Sequence, residues 1–253
     1  MSAPGQPPIL DIALPVATIS LARPDVANRL ELEDLEAIRA HIVTVNACKE
    51  ILVLRIRAEG KSFCGGFNIG SIGGSQTTAL FEQVVNDVAA ARPVTVAALN
   101  GGLYGGATDL ALACDFRIGV PSCRMFVPAA QLGLLFYRSG MVRYVSRLGL
   151  NNAKRILLTA ANLDSVEMLK VGFLNEIVPE DGLAEATEEL SRRLAAMAPL
   201  ALLGMKKYLN QIADATLDIA ACEHDIAIAD RSEDLAEGKR AWLEKRKPVF
   251  KGR

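Results

Sequence analysis

The chain has 253 residues, of which 51% are hydrophobic and 23% are charged, a balance typical of a folded domain with a sizeable core. The net charge of -1, from 28 basic and 29 acidic residues, gives no reason to expect nucleic acid as a partner. Because no apolar run approaches the roughly 20 residues that span a bilayer, we expect no membrane association. The start, "MSAPGQPPIL", lacks the pattern of a secretory signal, so we predict a cytoplasmic protein.

Residues that bind metals or form disulfides are sparse. The two histidines, His41 and His224, are isolated and cannot form a multi-histidine metal site. The five cysteines contain no C-x-x-C pair, which argues against a disulfide framework or a structural zinc site. We therefore expect reduced, buried cysteines and no metal. The cysteines are Cys48, Cys64, Cys114, Cys123 and Cys222.

The first half of the chain alternates between strand and helix patterns. After a loose tail over residues 1–8, "ATISLARP" predicts a strand, and apolar residues spaced from Leu32 to Val45 predict one face of a helix. "EILVLRIRAE" predicts a second strand, and residues 77–90 a second helix. "PVTVAALN" predicts a buried strand, followed by a helix over 105–113 and two short strands, "DFRIGV" and "RMFVP". This alternation indicates a repeated β/α unit.

The second half is mainly helical. Apolar spacing predicts helices over 138–147, 151–159, 164–171 and most of 182–243. Asp164, followed three residues later by Glu167, is typical of a capped helix start. These helices form an appendage to the β/α part.

Two glycine-rich loops, "KSFCGGFNIGSIGG" and "NGGLYGGATDLALAC", each follow a predicted strand. Glycine allows close backbone approach, and two backbone N–H groups can stabilise the negative oxygen of a thioester enolate. The second loop opens a helix, whose positive dipole end would add to that effect. Ordinary tight turns explain the same glycines. A dinucleotide site or P-loop is less compatible, because neither G-x-G-x-x-G at the head of a βαβ unit nor G-K-[ST] is present.

Six segments in chain order resemble a known family. The chain is similar along nearly its whole length to the crotonase (enoyl-CoA hydratase/isomerase) superfamily. The segments are "RPDVANRLELEDLEAI" (23–38), "GKSFCGGFNI" (60–69), "ALNGGLYGGATDLALACDFRIG" (98–119), "TAANLDSVEMLKVGFLNEIVP" (159–179), "MAPLALLGMKKYLN" (197–210) and "EDLAEGKRAWLEKRKPVFKG" (233–252).

The resemblance implies an α/β fold, a crotonase-like spiral of ββα units. It implies an acyl-CoA-binding core over residues 1–195 and a C-terminal helical trimerisation region over 196–253. The resemblance further implies a homotrimer or a dimer of trimers. It implies that the ligand is an acyl-CoA thioester and that the protein acts in fatty acid metabolism. No separate cofactor is implied, since coenzyme A is part of the substrate.

The resemblance also implies individual site residues. The backbone N–H groups of Phe67 and Gly106, with Gly105 beside them, correspond to the oxyanion hole that holds the thioester oxygen. The remaining coenzyme A and acyl contacts correspond to Arg23, Val26, Cys64, Gly65, Asn68, Ile69 and, across the trimer, Lys245.

The acid and base positions depart from the family pattern. The two glutamates of a hydratase fall on Asp109, one methylene or about 1.5 Å shorter, and on Ala129. Gln131 cannot replace the second one, because an amide transfers no proton at neutral pH. Crotonyl-CoA hydration should therefore be slow. Asp109 is either a lone base or an acid in the first turn of a helix, where it favours the dipole.

The loop "LGLLFYRSG" follows directly. The methylmalonyl-CoA decarboxylase branch of the superfamily carries a tyrosine there, and the alignment puts Phe136 at that position with Tyr137 one residue further on. Arg138 is a candidate partner for an acyl carboxylate. Three hypotheses remain: a hydratase/isomerase with altered acid–base residues, an acyl-CoA decarboxylase or other carbon–carbon lyase, and a catalytically weak acyl-CoA-binding oligomer.

Overall fold

The computed structural model describes residues 5–68 and 75–253, with the backbone alone over 75–77. Within these residues the largest sheet has six strands: β1 (Gln6–Ala13), β2 (Val16–Ala22), β3 (Val53–Ala58), β4 (Val94–Leu99), β6 (Phe116–Gly119) and β9 (Glu176–Ile177). They lie in the order β1-β2-β3-β4-β6-β9. β1 is antiparallel to β2, and the other neighbours are parallel.

Parallel neighbours need crossover connections, and helices supply them. These are α1 (Leu32–Ala47) between β2 and β3, α2 (Ser75–Ala89) between β3 and β4, and α3 (Gly106–Ala113) between β4 and β6. Every residue of β4 is buried, as expected for a central parallel strand covered on both faces. A second, small sheet joins β5 (Leu103–Tyr104), β7 (Arg124–Phe126) and β8 (Leu163–Asp164).

The predicted loose tail over residues 1–8 is wrong from Gln6 onward, because these residues start β1. The register shifts between Gln6 and Ile9, where Pro7 and Pro8 interrupt the pairing. Proline has no N–H to donate and is tolerated on edge strands. Because β1 is an edge strand, the proline content that suggested a tail is compatible with a sheet.

The predicted helices are confirmed, with small differences. Leu35, Ile38 and Ile42 form the buried face of α1, but Leu32, which was predicted on that face, is 45% exposed. All residues of α3 after Gly106 are buried, so this helix runs through the core.

The second half contains α4 (Arg138–Leu148), α5 (Leu150–Thr159), α6 (Ser165–Lys170), α7 (Leu183–Ala195), α8 (Pro199–Ala213), α9 (Ile219–Ala229) and α10 (Glu233–Leu243). Asp164 caps α6 by accepting a hydrogen bond from the Glu167 N–H at 2.9 Å. The Glu167 side chain bonds to Arg155. Of the predicted capping pair, therefore, Asp164 caps the helix, whereas the Glu167 side chain bonds elsewhere.

Helices α8 to α10 leave large apolar side chains in solvent, a pattern that marks interaction surfaces. The trimeric assembly and the boundary at residue 195 stay predictions. No helix in the described part of the chain is long and apolar enough to cross a membrane. The exposed side chains include Met205, Leu209, Ile212, Ile219, Ile226, Trp242 and Leu243.

The five cysteines are free thiols. Cys64, Cys114 and Cys123 are buried, as predicted, whereas Cys48 and Cys222 are only half-buried. Cys48 follows the end of α1 and Cys222 lies on α9, where the surface is more open than in the sheet. The prediction of uniformly buried cysteines is wrong for these two.

Candidate active site

The two glycine-rich loops lie side by side. The Phe63 N–H donates to the Gly102 carbonyl at 3.0 Å, and the Tyr104 N–H donates to the Cys64 carbonyl at 3.0 Å. A short parallel bridge pairs Cys64 with Leu103. The structure thus brings together two segments about 40 residues apart, each at the end of a strand of the main sheet.

Two glycines are required by this contact. Gly66 has a φ of +93°, and a Cβ there would lie 2.6 Å from the Tyr104 carbonyl oxygen. A Cβ on Gly106 would lie 2.6 Å from Cζ of Phe81. The Cβ position of Gly66 is also 3.9 Å from the Gly106 nitrogen, so the two backbones are close neighbours.

Two backbone N–H groups at this junction have no backbone acceptor among the described residues. Leu30 bridges Phe67 by donating to the Gly66 carbonyl and accepting from the Asn68 N–H, at 2.9 and 3.0 Å. Since successive amides of a strand alternate in direction, the Phe67 N–H faces away from Leu30. The Gly106 N–H opens α3, where first-turn amides have no carbonyl partner in the helix. Among the described residues, no backbone carbonyl accepts from either group.

Both residues line a cavity of about 210 Å³. Its walls come from the two glycine loops, from α2 and from the segment before α4. Most of the lining is apolar or aromatic, and among the described residues it includes no Asp, Glu, His, Lys or Arg. The lining residues are Gly65, Gly66, Phe67, Thr78, Phe81, Tyr104, Gly105, Gly106, Phe126, Val127, Pro128, Ala129, Leu132, Leu134, Leu135, Phe136 and Tyr137.

Asp109 does not reach this cavity. It is completely buried in α3, behind Tyr137, whose hydroxyl donates a hydrogen bond of 2.6 Å to Asp109 Oδ2. Arg143 of α4 lies on the other side, with Nε 3.2 Å from Asp109 Oδ1. That contact is not aligned as a hydrogen bond. A second Arg143 nitrogen donates to Asn86 Oδ1 of α2 at 3.0 Å.

Burial is the main influence on the pKa of Asp109 and on that of Tyr137. It raises the pKa of the Asp109 carboxyl, and the positive charge of Arg143 and the hydrogen bond from Tyr137 only partly oppose it. Burial also raises the pKa of the Tyr137 hydroxyl, and the negative charge of Asp109 raises it further. Tyr137 is therefore a phenol at neutral pH, with its oxygen between the carboxylate and the cavity.

Ala129, where the family pattern has its second glutamate, and Phe136, which aligns with the tyrosine of the decarboxylase branch, both line the cavity. Ala129 is 6% exposed and leaves space where a longer side chain would project. Phe136 stacks on Tyr137 with ring centroids 4.7 Å apart. Gln131 and Arg138 are exposed and are absent from the described lining.

The loop that begins at Arg23 packs against the first glycine loop. The Arg23 side chain is buried and pairs with Asp34 at 3.0 Å. Asn28 accepts from the Arg23 N–H at 2.8 Å and donates to the carbonyls of Glu59 and Ser62. The Gly65 N–H donates to the Ala27 carbonyl at 2.7 Å. These contacts hold the backbone around Val26 beside residues 65–68.

The remaining predicted contacts are scattered. Cys64 is fully buried beneath the cavity, and burial raises the pKa of its thiol to about 12, so it stays protonated. Asn68 donates to the Glu31 carboxylate at 2.9 Å. Lys245 lies in an exposed turn after α10 and is absent from the described lining. Ile69 is outside the described residues. The roles of all these residues stay predictions.

Sequence reasoning missed two residues. Phe81 lies over Gly106, although its spacing on α2 matches the core face that includes Val85 and Val88. Arg143 is 34 positions from Asp109 and has the spacing of an ordinary helix residue. Neither residue could be identified from its neighbouring sequence, because only the packing of α2 and α4 on α3 brings the two residues to the site.

Comparison with known proteins agrees with the fold. A family model described as enoyl-CoA hydratase/isomerase matches residues 11–253. The short-chain-enoyl-CoA hydratase of Clostridium acetobutylicum is 27% identical over 241 residues, which cover 92% of each protein. The carnitinyl-CoA dehydratase of Citrobacter koseri is 30% identical over 207 residues, which cover 79% of this chain and 75% of that protein.

A solved structure agrees as well. The crystal structure of an enoyl-CoA hydratase from Bacillus anthracis superposes with a TM-score of 0.88 at 26% identity, covering 98% of this chain and 100% of that one. The chain is thus a mixed α/β protein of the crotonase fold. It belongs to the enoyl-CoA hydratase/isomerase family.

Proposed function

We propose that the protein acts on an acyl-CoA thioester through an enolate whose oxygen is held by the N–H groups of Phe67 and Gly106. The observation that carries this proposal is the pair of unpartnered amides at the edge of an apolar cavity. Donors fixed in a water-poor site stabilise developing charge without reorganising during the reaction. The α3 dipole adds positive potential at Gly106.

The proposed proton carrier is Tyr137. The described lining has no carboxylate, and Tyr137 is a lining residue whose hydroxyl donates to Asp109. Tyr104 also lines the cavity, but its hydroxyl lies over Gly102. In the proposed step the Tyr137 hydroxyl turns from Asp109 to the enolate. Its O–H bond breaks as the enolate π electrons form a C–H bond with that proton and the thioester carbonyl is restored, and the phenolate left on Tyr137 takes up a proton from water after the product leaves. Asp109 then acts through Tyr137 by orienting its hydroxyl.

A hydratase of ordinary efficiency is not the best match. Activation of water by two carboxylates needs a side chain at position 129 that can take a proton, and alanine cannot. Decarboxylation is the second candidate, because loss of CO₂ generates the enolate without a base. The lining that lacks a carboxylate is the observation that favours it.

The test compares Gly106→Pro with Gly106→Ala. Both variants bring a Cβ against Phe81, but only proline removes the N–H, and proline is tolerated at the first position of a helix. The proteins are incubated with enoyl-, malonyl- and 3-oxoacyl-CoA thioesters, and products are followed by mass spectrometry.

We expect turnover of at least one thioester, and a rate about 10²–10³ times lower for Gly106→Pro than for Gly106→Ala, the usual effect of losing one oxyanion donor. Equal rates in the two variants would contradict the proposal. Coenzyme A binding without product from any thioester would contradict it too, and would favour a catalytically weak acyl-CoA-binding protein.

A further inference from the structure

The size of the cavity limits the acyl group. The cavity measures about 210 Å³. A cavity of about 150 Å³ lined by Leu, Ile and Phe is large enough to bind benzene. The space beside the two amides therefore accommodates a six-membered ring with a short link to the thioester. A two- to four-carbon acyl group would leave much of the wall without contacts, and the dispersion attraction of those atoms would be lost.

The wall is aromatic on several sides. The ring centroids of Phe67 and Phe81 are 6.0 Å apart, and those of Phe81 and Tyr137 are 6.1 Å apart in an edge-to-face arrangement. Phe136 stacks on Tyr137. Rings at such distances present faces and edges to a further ring, and each aromatic pair adds attraction beyond the area that the ring buries.

The charge of the wall limits the acyl group as well. The nearest arginine behind the wall, Arg143, contacts Asp109 and Asn86, and Tyr137 separates that pair from the cavity. Arg138 is exposed. A second carboxylate on the acyl group would be buried without a cation in the described lining, which is strongly unfavourable. This disfavours decarboxylation, the second candidate function, because its substrates carry that carboxylate.

We propose that the cavity selects an uncharged acyl group that carries a ring of about phenyl size, over short straight chains and over acyl groups with a second carboxylate. The selecting residues are Phe67, Phe81, Phe136 and Tyr137, with Ala129 providing the space. This proposal rests on the proposed function for the position of the thioester, but it concerns binding.

The first experiment measures the affinity of the full chain for saturated thioesters by calorimetry. The probes are 3-phenylpropanoyl-CoA, butanoyl-CoA and succinyl-CoA, with free coenzyme A as the baseline. We expect 3-phenylpropanoyl-CoA to bind at least about 10-fold more tightly than butanoyl-CoA, equivalent to 1.4 kcal/mol. Succinyl-CoA should bind no more tightly than coenzyme A. Equal affinities for the phenyl and butyl thioesters, or tighter binding of succinyl-CoA, would overturn the proposal.

The second experiment places the ring in this cavity. Ala129→Leu fills it, whereas Ala130→Leu adds the same side chain at an adjacent, exposed position that does not line it. We expect the preference for the phenyl thioester to disappear in Ala129→Leu and to persist in Ala130→Leu. Thr78→Leu, on the α2 side of the cavity, repeats the test if the first variant fails to bind coenzyme A. A preference unchanged by filling the cavity would overturn the proposal.

The two proposals fail separately. Turnover that depends on the Gly106 N–H but only with short or charged thioesters would remove the ring preference and leave the enolate proposal intact. A preference for the ring in binding, without turnover of any thioester, would contradict the enolate proposal and leave the ring preference intact.

Discussion

The two walls of the cavity are built in different ways. The amide wall (residues 65–67 and 105–106) uses backbone N–H groups fixed by hydrogen bonds between two glycine loops. The side-chain wall (Ala129, Phe136 and Tyr137, with Asp109 and Arg143 behind) uses side chains from α3, α4 and the segment between β7 and α4. We predicted from the sequence that the backbone donors of the amide wall keep the family pattern and that Asp109 and Ala129 of the side-chain wall depart from it. Backbone geometry tolerates changes of side chain, so an oxyanion site can persist while the proton carrier changes.

The amide wall should be the more fragile one. Gly66→Ala combines a positive φ, which costs an alanine about 1–2 kcal/mol, with a Cβ 2.6 Å from a backbone oxygen. Overpacking adds about 1–3 kcal/mol. We expect the free energy of unfolding to fall by about 2–5 kcal/mol in urea titrations followed by circular dichroism.

Gly133→Ala is the control for that variant. Gly133 has a φ of +71° with nothing within 4 Å of its Cβ position, so alanine there carries only the conformational cost. If Gly133→Ala destabilises the protein as much as Gly66→Ala, the close approach of the two loops is not what requires glycine at position 66.

On the side-chain wall, Tyr137→Phe removes the hydroxyl and leaves Asp109 Oδ2 without its 2.6 Å hydrogen bond. Hydrogen bonds to charged groups contribute about 1.5–3 kcal/mol, so we expect the free energy of unfolding to fall by that amount. Under the proposed function, product formation should also be lost.

Tyr144→Phe separates the two effects. The buried Tyr144 hydroxyl bonds to Thr108, one layer behind the cavity and between neutral groups. We expect a loss of about 1 kcal/mol with turnover retained. Full turnover by Tyr137→Phe would show that Tyr137 is not the proton carrier. The side-chain wall would then only pack against the acyl group.

The sequence predicted the two walls unequally, for a physical reason. Glycines at strand ends, the second pair opening a helix, are local patterns that fix backbone conformation, so the two glycine loops, with Gly106 in the second, could be predicted without a fold. The position of Asp109 behind Tyr137 depends on a contact between residues 28 positions apart, made by the packing of α4 on α3. Residue type and spacing alone left open whether Asp109 was a base or a helix-terminal acid.

The strands show the same limit. The strand β4 was predictable, because a parallel strand buried on both faces is almost continuously apolar, with Thr95 as its one polar residue. The start of β1 was not, because its prolines are compatible with an edge strand only when the neighbouring strand is known.

The smallest predicted effect concerns the charge of Asp109. Because burial raises the pKa of its carboxyl above the ordinary value of about 3.9, the folded protein holds that proton more tightly than the unfolded chain does. The contribution of Asp109 to stability is then fully present below about pH 4 and is lost as the pH rises through the folded-state pKa. Asparagine at this position does not titrate.

Asp109→Asn should therefore gain stability relative to the wild type as the pH is raised from about 4 to 8, in urea titrations at each pH. The control, Asp87→Asn, removes a half-exposed carboxylate paired with Arg39, and surface pairs contribute little at any pH. If the stability of the wild type instead rises relative to that of Asp109→Asn as the pH is raised, Arg143 and Tyr137 stabilise the carboxylate by more than burial destabilises it. The pKa of Asp109 would then lie below its ordinary value, and the ion pair and the hydrogen bond, rather than burial, would determine the charge behind Tyr137.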